Sequence, residues 1–105
     1  MIEVTFITDG EKLSLRLKGH AEYAEIGKDI VCASASILAY TYATIVETYG
    51  IDTYINLESG DTTIECVCTD HPMMDVIRDA FNFAQVGYEL LAHNYPQYVR
   101  LNAKT

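Results

Sequence analysis

Two residues in this sequence have the types and the spacing of a nucleophile and its base. They are His20 and Cys32, with eleven residues between them. A thiol attacks a carbonyl only as thiolate, and an ordinary cysteine is mostly protonated near neutral pH. The unpaired N–H groups of a helix start and a nearby imidazolium both favour the thiolate. Cys32 stands three residues past Asp29, whose side chain and position suit a helix N-cap. His20 ends a strand-like run. The segment between is long enough to fold back and bring the imidazole over the helix start. Unpaired N–H groups there would also hold the oxyanion formed when a peptide carbonyl is attacked. The chemistry this spacing predicts is covalent catalysis by a cysteine.

Asp29 has two readings. It caps the helix, or it orients the imidazole of His20. A carboxylate beside a thiol opposes thiolate formation, so it is expected to point at backbone or at His20. Ser36 lies one helical turn beyond Cys32. It either bonds its own i−4 carbonyl or helps hold the site.

The flanking pattern supplies elements that position these residues. Ile2, Val4 and Phe6 alternate with polar residues, as do Leu13, Leu15 and Leu17. This is the period of half-buried strands, and Asp9-Gly10 between them is a hairpin turn. Residues 19–28 break the alternation and read as a loop with glycine at both ends, Gly19 and Gly27. A helix follows from Asp29 to about Tyr49, with Gly50 in the C′ position. Its core stripe is expected to be Val31, Ala35, Leu38, Tyr42, Ile45 and Tyr49. A second stripe, Cys32, Ser36, Ala39 and Ala43, is small throughout and suits close approach of another element.

Thr53, Ile55 and Leu57, the Ser59-Gly60 turn, then Ile64, Cys66 and Cys68 predict a second hairpin. Asp70-His71-Pro72 opens a second helix, with Asp70 as cap. Met74, Ile77, Phe81, Ala84, Tyr88, Leu91 and Tyr95 form its buried stripe. Pro96 ends it, and residues 98–102 supply a last strand. The predicted fold is α+β: a ββαββαβ order in a two-layer sandwich, two helices packed on a mostly antiparallel sheet. Residues 1–105 make one domain.

Composition excludes several classes. A formal charge of −8 argues against a nucleic-acid binder and allows a basic protein partner. The start has no signal-peptide pattern, and the run from Ile30 to Val46 reads as a buried helix rather than a membrane span. A cytoplasmic location is therefore expected, with three reduced cysteines. Cys66, Cys68 and His71 spell C-x-C-x-x-H. Both cysteines share a strand face with Ile64, so an apolar face explains them better than a metal site.

Gly19-His20-Ala21, then Gly27-Lys28-Asp29-Ile30-Val31-Cys32-Ala33 and Ser34-Ala35-Ser36, resemble the signature of the ribosomal-processing cysteine protease family, Prp. The resemblance extends over the whole chain, to the last strand at Val99-Arg100-Leu101-Asn102. It implies a homodimeric cytoplasmic endopeptidase without a cofactor. The substrate implied is the precursor of a large-subunit ribosomal protein, the twenty-seventh, cut next to a hydrophobic, aromatic-containing stretch of its N-terminal extension. It implies Cys32 as nucleophile, His20 as base, and Gly19, Asp29 and Ser36 as supports. Glu22 and Tyr23 fall in the variable loop and Gly27 closes it; the role expected of the three is to gate the site or contact substrate. Two other classes stay open: a non-catalytic ribosome-associated binding module, and a thiol redox protein with Cys66 or Cys68 as resolving thiol.

Overall fold

The computed structural model describes residues 1–25, 27–69 and 72–104. The alternating runs form β1 (Ile2–Asp9), β2 (Lys12–Lys18), β3 (Ile51–Glu58), β4 (Asp61–Val67) and β5 (Val99–Lys104). The two helices are α1 (Ile30–Tyr49) and α2 (Asp75–Asn94). The order is ββαββαβ, and the strands make one sheet in the order β3-β4-β2-β1-β5. Three pairings are antiparallel; β1 and β5 run parallel, so the sheet is mixed.

Period two puts Val4, Phe6, Leu15, Ile64 and Cys66 on one face, where they are buried under the helices. The opposite face carries ion pairs joining Glu65 to Lys12 and Arg16, Lys18 to Asp61, and Glu3 to Arg100. Such pairs at the surface contribute little to stability, so the helix-side core holds the sandwich together. Phe6 packs edge-on against Phe81 at 5.1 Å between ring centres. Tyr88 is fully buried and donates its hydroxyl to the Ala35 carbonyl at 2.7 Å, tying α2 to α1.

Several expectations need correction. The buried face of α1 is Val31, Ala35, Ala39, Tyr42, Ala43 and Val46, not the larger stripe. The small residues face inward because α2 lies close: a methyl on Gly87 of α2 would come within 2.9 Å of Leu38. Leu38 and Ile45 are pushed to the margin and Tyr49 is exposed. Gly50 follows α1 with φ −79°, outside the left-handed region. Glycine is needed there for space, since a Cβ would meet the Val46 carbonyl oxygen at 2.5 Å and Cys66 Sγ at 3.0 Å. Leu57 is exposed, because β3 is an edge strand that the helices scarcely cover. A single 3₁₀ turn, Pro72–Met74, leads into α2. The expected cap at Asp70, and His71, lie outside the described residues.

Candidate active site

β2 ends at Lys18, and the chain turns immediately into the loop that carries His20. Gly19 adopts φ +94°, a region open to glycine and costly for other residues. A Cβ there would also overlap the Met1 carbonyl oxygen. The Gly19 N–H donates to the Gly60 carbonyl at 3.0 Å, and the Met1 nitrogen donates to the His20 carbonyl at 2.7 Å. Ala21 is buried. The backbone on both sides of His20 is thus fixed, while its imidazole is exposed.

Asp29 organises the other end of the loop. Its Oδ1 accepts from the Cys32 N–H at 2.9 Å, as an N-cap does. Its Oδ2 accepts from the N–H groups of Tyr23 at 3.0 Å and Ala24 at 3.3 Å. Desolvation pushes this carboxyl up, but the N–H groups of Cys32, Ala24, Tyr23 and Val31 together outweigh it and hold it below the ordinary carboxylate range. Of the two readings of Asp29, capping is the one formed. The carboxylate ties the helix start to the loop, and among the described residues it makes no hydrogen bond to His20.

The same bonds correct the expected oxyanion hole. The Cys32 N–H already donates to Asp29 Oδ1. It is not an unpaired donor for a tetrahedral oxygen, so other groups must hold it.

His20 and Cys32 line one cavity of about 640 Å³. Its walls are the loop residues Glu22, Gly27 and Lys28, the start of α1, and Ser59 of the β3–β4 turn. A second, smaller cavity of about 140 Å³ shares His20, Cys32, Ser36 and Ser59 and extends toward Tyr40 and Asp61. The catalytic pair expected from the sequence therefore stands where two cavities meet. No hydrogen bond joins His20 to the half-buried Cys32 among the described residues. Ser36 borders both cavities; its neighbour Ser34 donates to its own i−4 carbonyl, that of Ile30, at 2.7 Å.

Glu22 and Gly27 border the larger cavity, and Tyr23 does not. Tyr23 instead packs edge-on against Tyr98 at 5.1 Å and Tyr95 at 5.6 Å. It fastens the loop to the corner between α2 and β5. The sequence reading missed Ser59 and Gly60. A Cβ on Gly60 would lie 2.7 Å from His20 Nε2, so this turn is part of the site.

The other two thiols are far from this chemistry. Cys66 and Cys68 are buried, and burial pushes both up from the ordinary thiol value. Cys68 donates to the Met74 carbonyl at 3.3 Å. Cys66 sits by Gly50 at the far end of α1, about 27 Å from Cys32 along a helix rising 1.5 Å per residue. A disulfide needs Cα atoms within about 7 Å, so Cys66 cannot resolve an oxidised Cys32. We expect iodoacetamide to label Cys32 in the native protein, and Cys66 and Cys68 only after unfolding, as read by peptide mass spectrometry. Rapid native labelling of Cys66 or Cys68 would show an open core. Among the described residues no three His, Cys, Asp or Glu groups converge as metal ligands.

A family model described as cysteine protease Prp matches residues 1–100. Among solved structures, the chain is similar to the Staphylococcus aureus ribosomal processing protease Prp in complex with a covalently linked product peptide. The identity is 27%, the TM-score 0.83, and the match covers 99% of this chain and 100% of that one. It is also similar to SMU.848 from Streptococcus mutans, at 27% identity and a TM-score of 0.73, covering 100% and 96%. A second S. aureus Prp structure, with a substrate peptide, matches at 24% identity and a TM-score of 0.77, covering 99% and 100%. No curated protein matches the chain by sequence.

Proposed function

We propose that this chain, which belongs to the Prp family of cysteine proteases, cuts an N-terminal extension from a large-subunit ribosomal protein in the cytoplasm. The observation that carries the reading is the cavity at the start of α1, which holds His20 and Cys32 together and is open to a peptide. Cys32 is the nucleophile. His20 takes its proton, and the thiolate forms a bond to the scissile carbonyl carbon. His20 then protonates the leaving amine, and water hydrolyses the thioester to free the acid and the thiol. The loop walls at Glu22 and Gly27 close over the bound peptide. Ala24, Ile30 and Ala33 supply apolar surface for the hydrophobic stretch beside the cut. The S. aureus protein carries a product peptide linked covalently, which fits a mechanism through an acyl-enzyme.

The test is a peptide spanning the extension of the twenty-seventh large-subunit protein, incubated with the purified chain and read by mass spectrometry. Cleavage at one bond is expected. Binding without cleavage would favour the non-catalytic module instead.

The working form is a homodimer in this reading. Ile37 is 61% exposed and Phe83 75% exposed, and they flank an apolar groove of about 480 Å³ between α1 and α2. Exposed apolar surface of this kind suits a second copy. Ile37→Asp combined with Phe83→Asp is expected to halve the mass seen by sedimentation. A wild-type dimer mass retained in that variant would place the interface elsewhere.

A further inference from the structure

We propose that Gly60, in the β3–β4 turn, is a positioning residue for His20: its missing side chain leaves the space in which the imidazole lies. The inference rests on His20 being the base of the proposed reaction. Gly60 lies forty residues further along the chain and outside the loop that carries the histidine. The pairing of β2 with β4 brings the two together. Lys18 stands opposite Asp61, so the residues that follow Lys18 run over the residue that precedes Asp61. The Gly19 N–H to Gly60 carbonyl bond fixes this approach.

A Cβ on Gly60 would sit 2.7 Å from Nε2, 3.0 Å from Cε1 and 3.4 Å from Cδ2 of His20. The Nε2–Cε1 edge of the ring therefore rests on the glycine. A methyl group there displaces the ring by most of an ångström. The ring is the free end of an exposed side chain and can yield, so the protein folds and the cost appears in where the imidazole stands. The backbone cannot yield with it, because the bonds at Gly19 and the His20 carbonyl hold it. Misplacing a catalytic group by about 1 Å costs on the order of 100-fold in rate.

The experiment compares Gly60→Ala with Gly10→Ala. Gly60 has φ +74° and Gly10 φ +60°, so both substitutions strain the backbone of a hairpin turn. Only Gly60 has His20 beside it; a Cβ on Gly10 meets nothing within 4 Å. Gly60→Asn is run as well, since asparagine tolerates this backbone region and keeps the variant folded while still adding a Cβ. We expect both Gly60 variants to lose about 10- to 100-fold in kcat on the extension peptide with little change in KM, and Gly10→Ala to stay near wild type. In a His20→Ala background, adding Gly60→Ala should change the residual rate of cleavage and of Cys32 alkylation by less than about twofold, because the partner it acts through is gone. Wild-type kcat in both Gly60 variants, or an undiminished loss in the His20→Ala background, overturns the inference. Wild-type cleavage by His20→Ala alone removes the base assignment itself, and is seen without touching Gly60.

Discussion

Cys32→Ala is expected to abolish cleavage of the extension peptide, and His20→Ala to lower kcat by about 10²- to 10⁴-fold, the range of a positioned general base. Cys32→Ser should be as inactive as the alanine variant at neutral pH, because a hydroxyl ionises far less readily than a thiol. No other thiol can take over. Cys66 and Cys68 are buried with their thiols pushed up, and Cys66 lies at the opposite end of α1. The dissociation constant of the peptide should change little in Cys32→Ala, and KM little in His20→Ala, since both groups act on the bond and not on the bulk of the peptide. Cleavage surviving Cys32→Ala would mean a different nucleophile. His20→Ala near wild type would mean that the imidazole, which makes no hydrogen bond to Cys32 at rest, stays out of the reaction.

That His20 and Cys32 come to one cavity was legible in the sequence because both belong to local signals. His20 follows a strand whose period ends at Lys18, and Cys32 follows the cap at Asp29. Local signals also gave both hairpins and the buried stripe of α2, whose residues from Met74 to Leu91 lie in the core as spaced. What the sequence hid was set by packing between distant elements. Two hairpins can be recognised without knowing that β4 pairs with β2, and only that pairing puts Gly60 beneath His20. The turn at Ser59-Gly60 was visible; its place in the candidate site was not. The buried face of α1 departs from its apolar pattern for a similar reason. Side-chain size points to the large apolar residues as core, but the close approach of α2 favours Ala39 and Ala43 inside. Ile37 and Phe83 then remain on the surface, where a second subunit would explain them. Tyr23 belongs to the same class: its partners Tyr95 and Tyr98 are near only because β5 returns beside β1.

Asp29→Ala is expected to damage stability and catalysis together, and Asp29→Asn to separate them. The carboxylate does two jobs with two oxygens. Oδ1 caps α1 through the Cys32 N–H, and Oδ2 gathers the Tyr23 and Ala24 N–H groups of the loop. Losing the cap costs about 1 kcal/mol, which in a domain of this size lowers Tm by roughly 4–8 °C. Losing the loop bonds frees one wall of the cavity, so kcat/KM should fall by about tenfold or more as the productive geometry loosens. Asparagine can still offer its carbonyl oxygen to Cys32. Its NH₂ group then faces the Tyr23 and Ala24 N–H groups, donor against donor. Asp29→Asn should therefore keep most of the melting temperature and lose the activity. The pH dependence has a definite sign. The folded carboxyl is held below its ordinary value of 3.8, so its contribution is complete above that value and is lost as pH falls through the lower, folded one. At neutral pH the anchor is fully ionised, and the wild-type advantage over Asp29→Ala in Tm should shrink only in strong acid. Full activity in Asp29→Asn would show that the cap alone supports Cys32 and that the loop wall needs no tether.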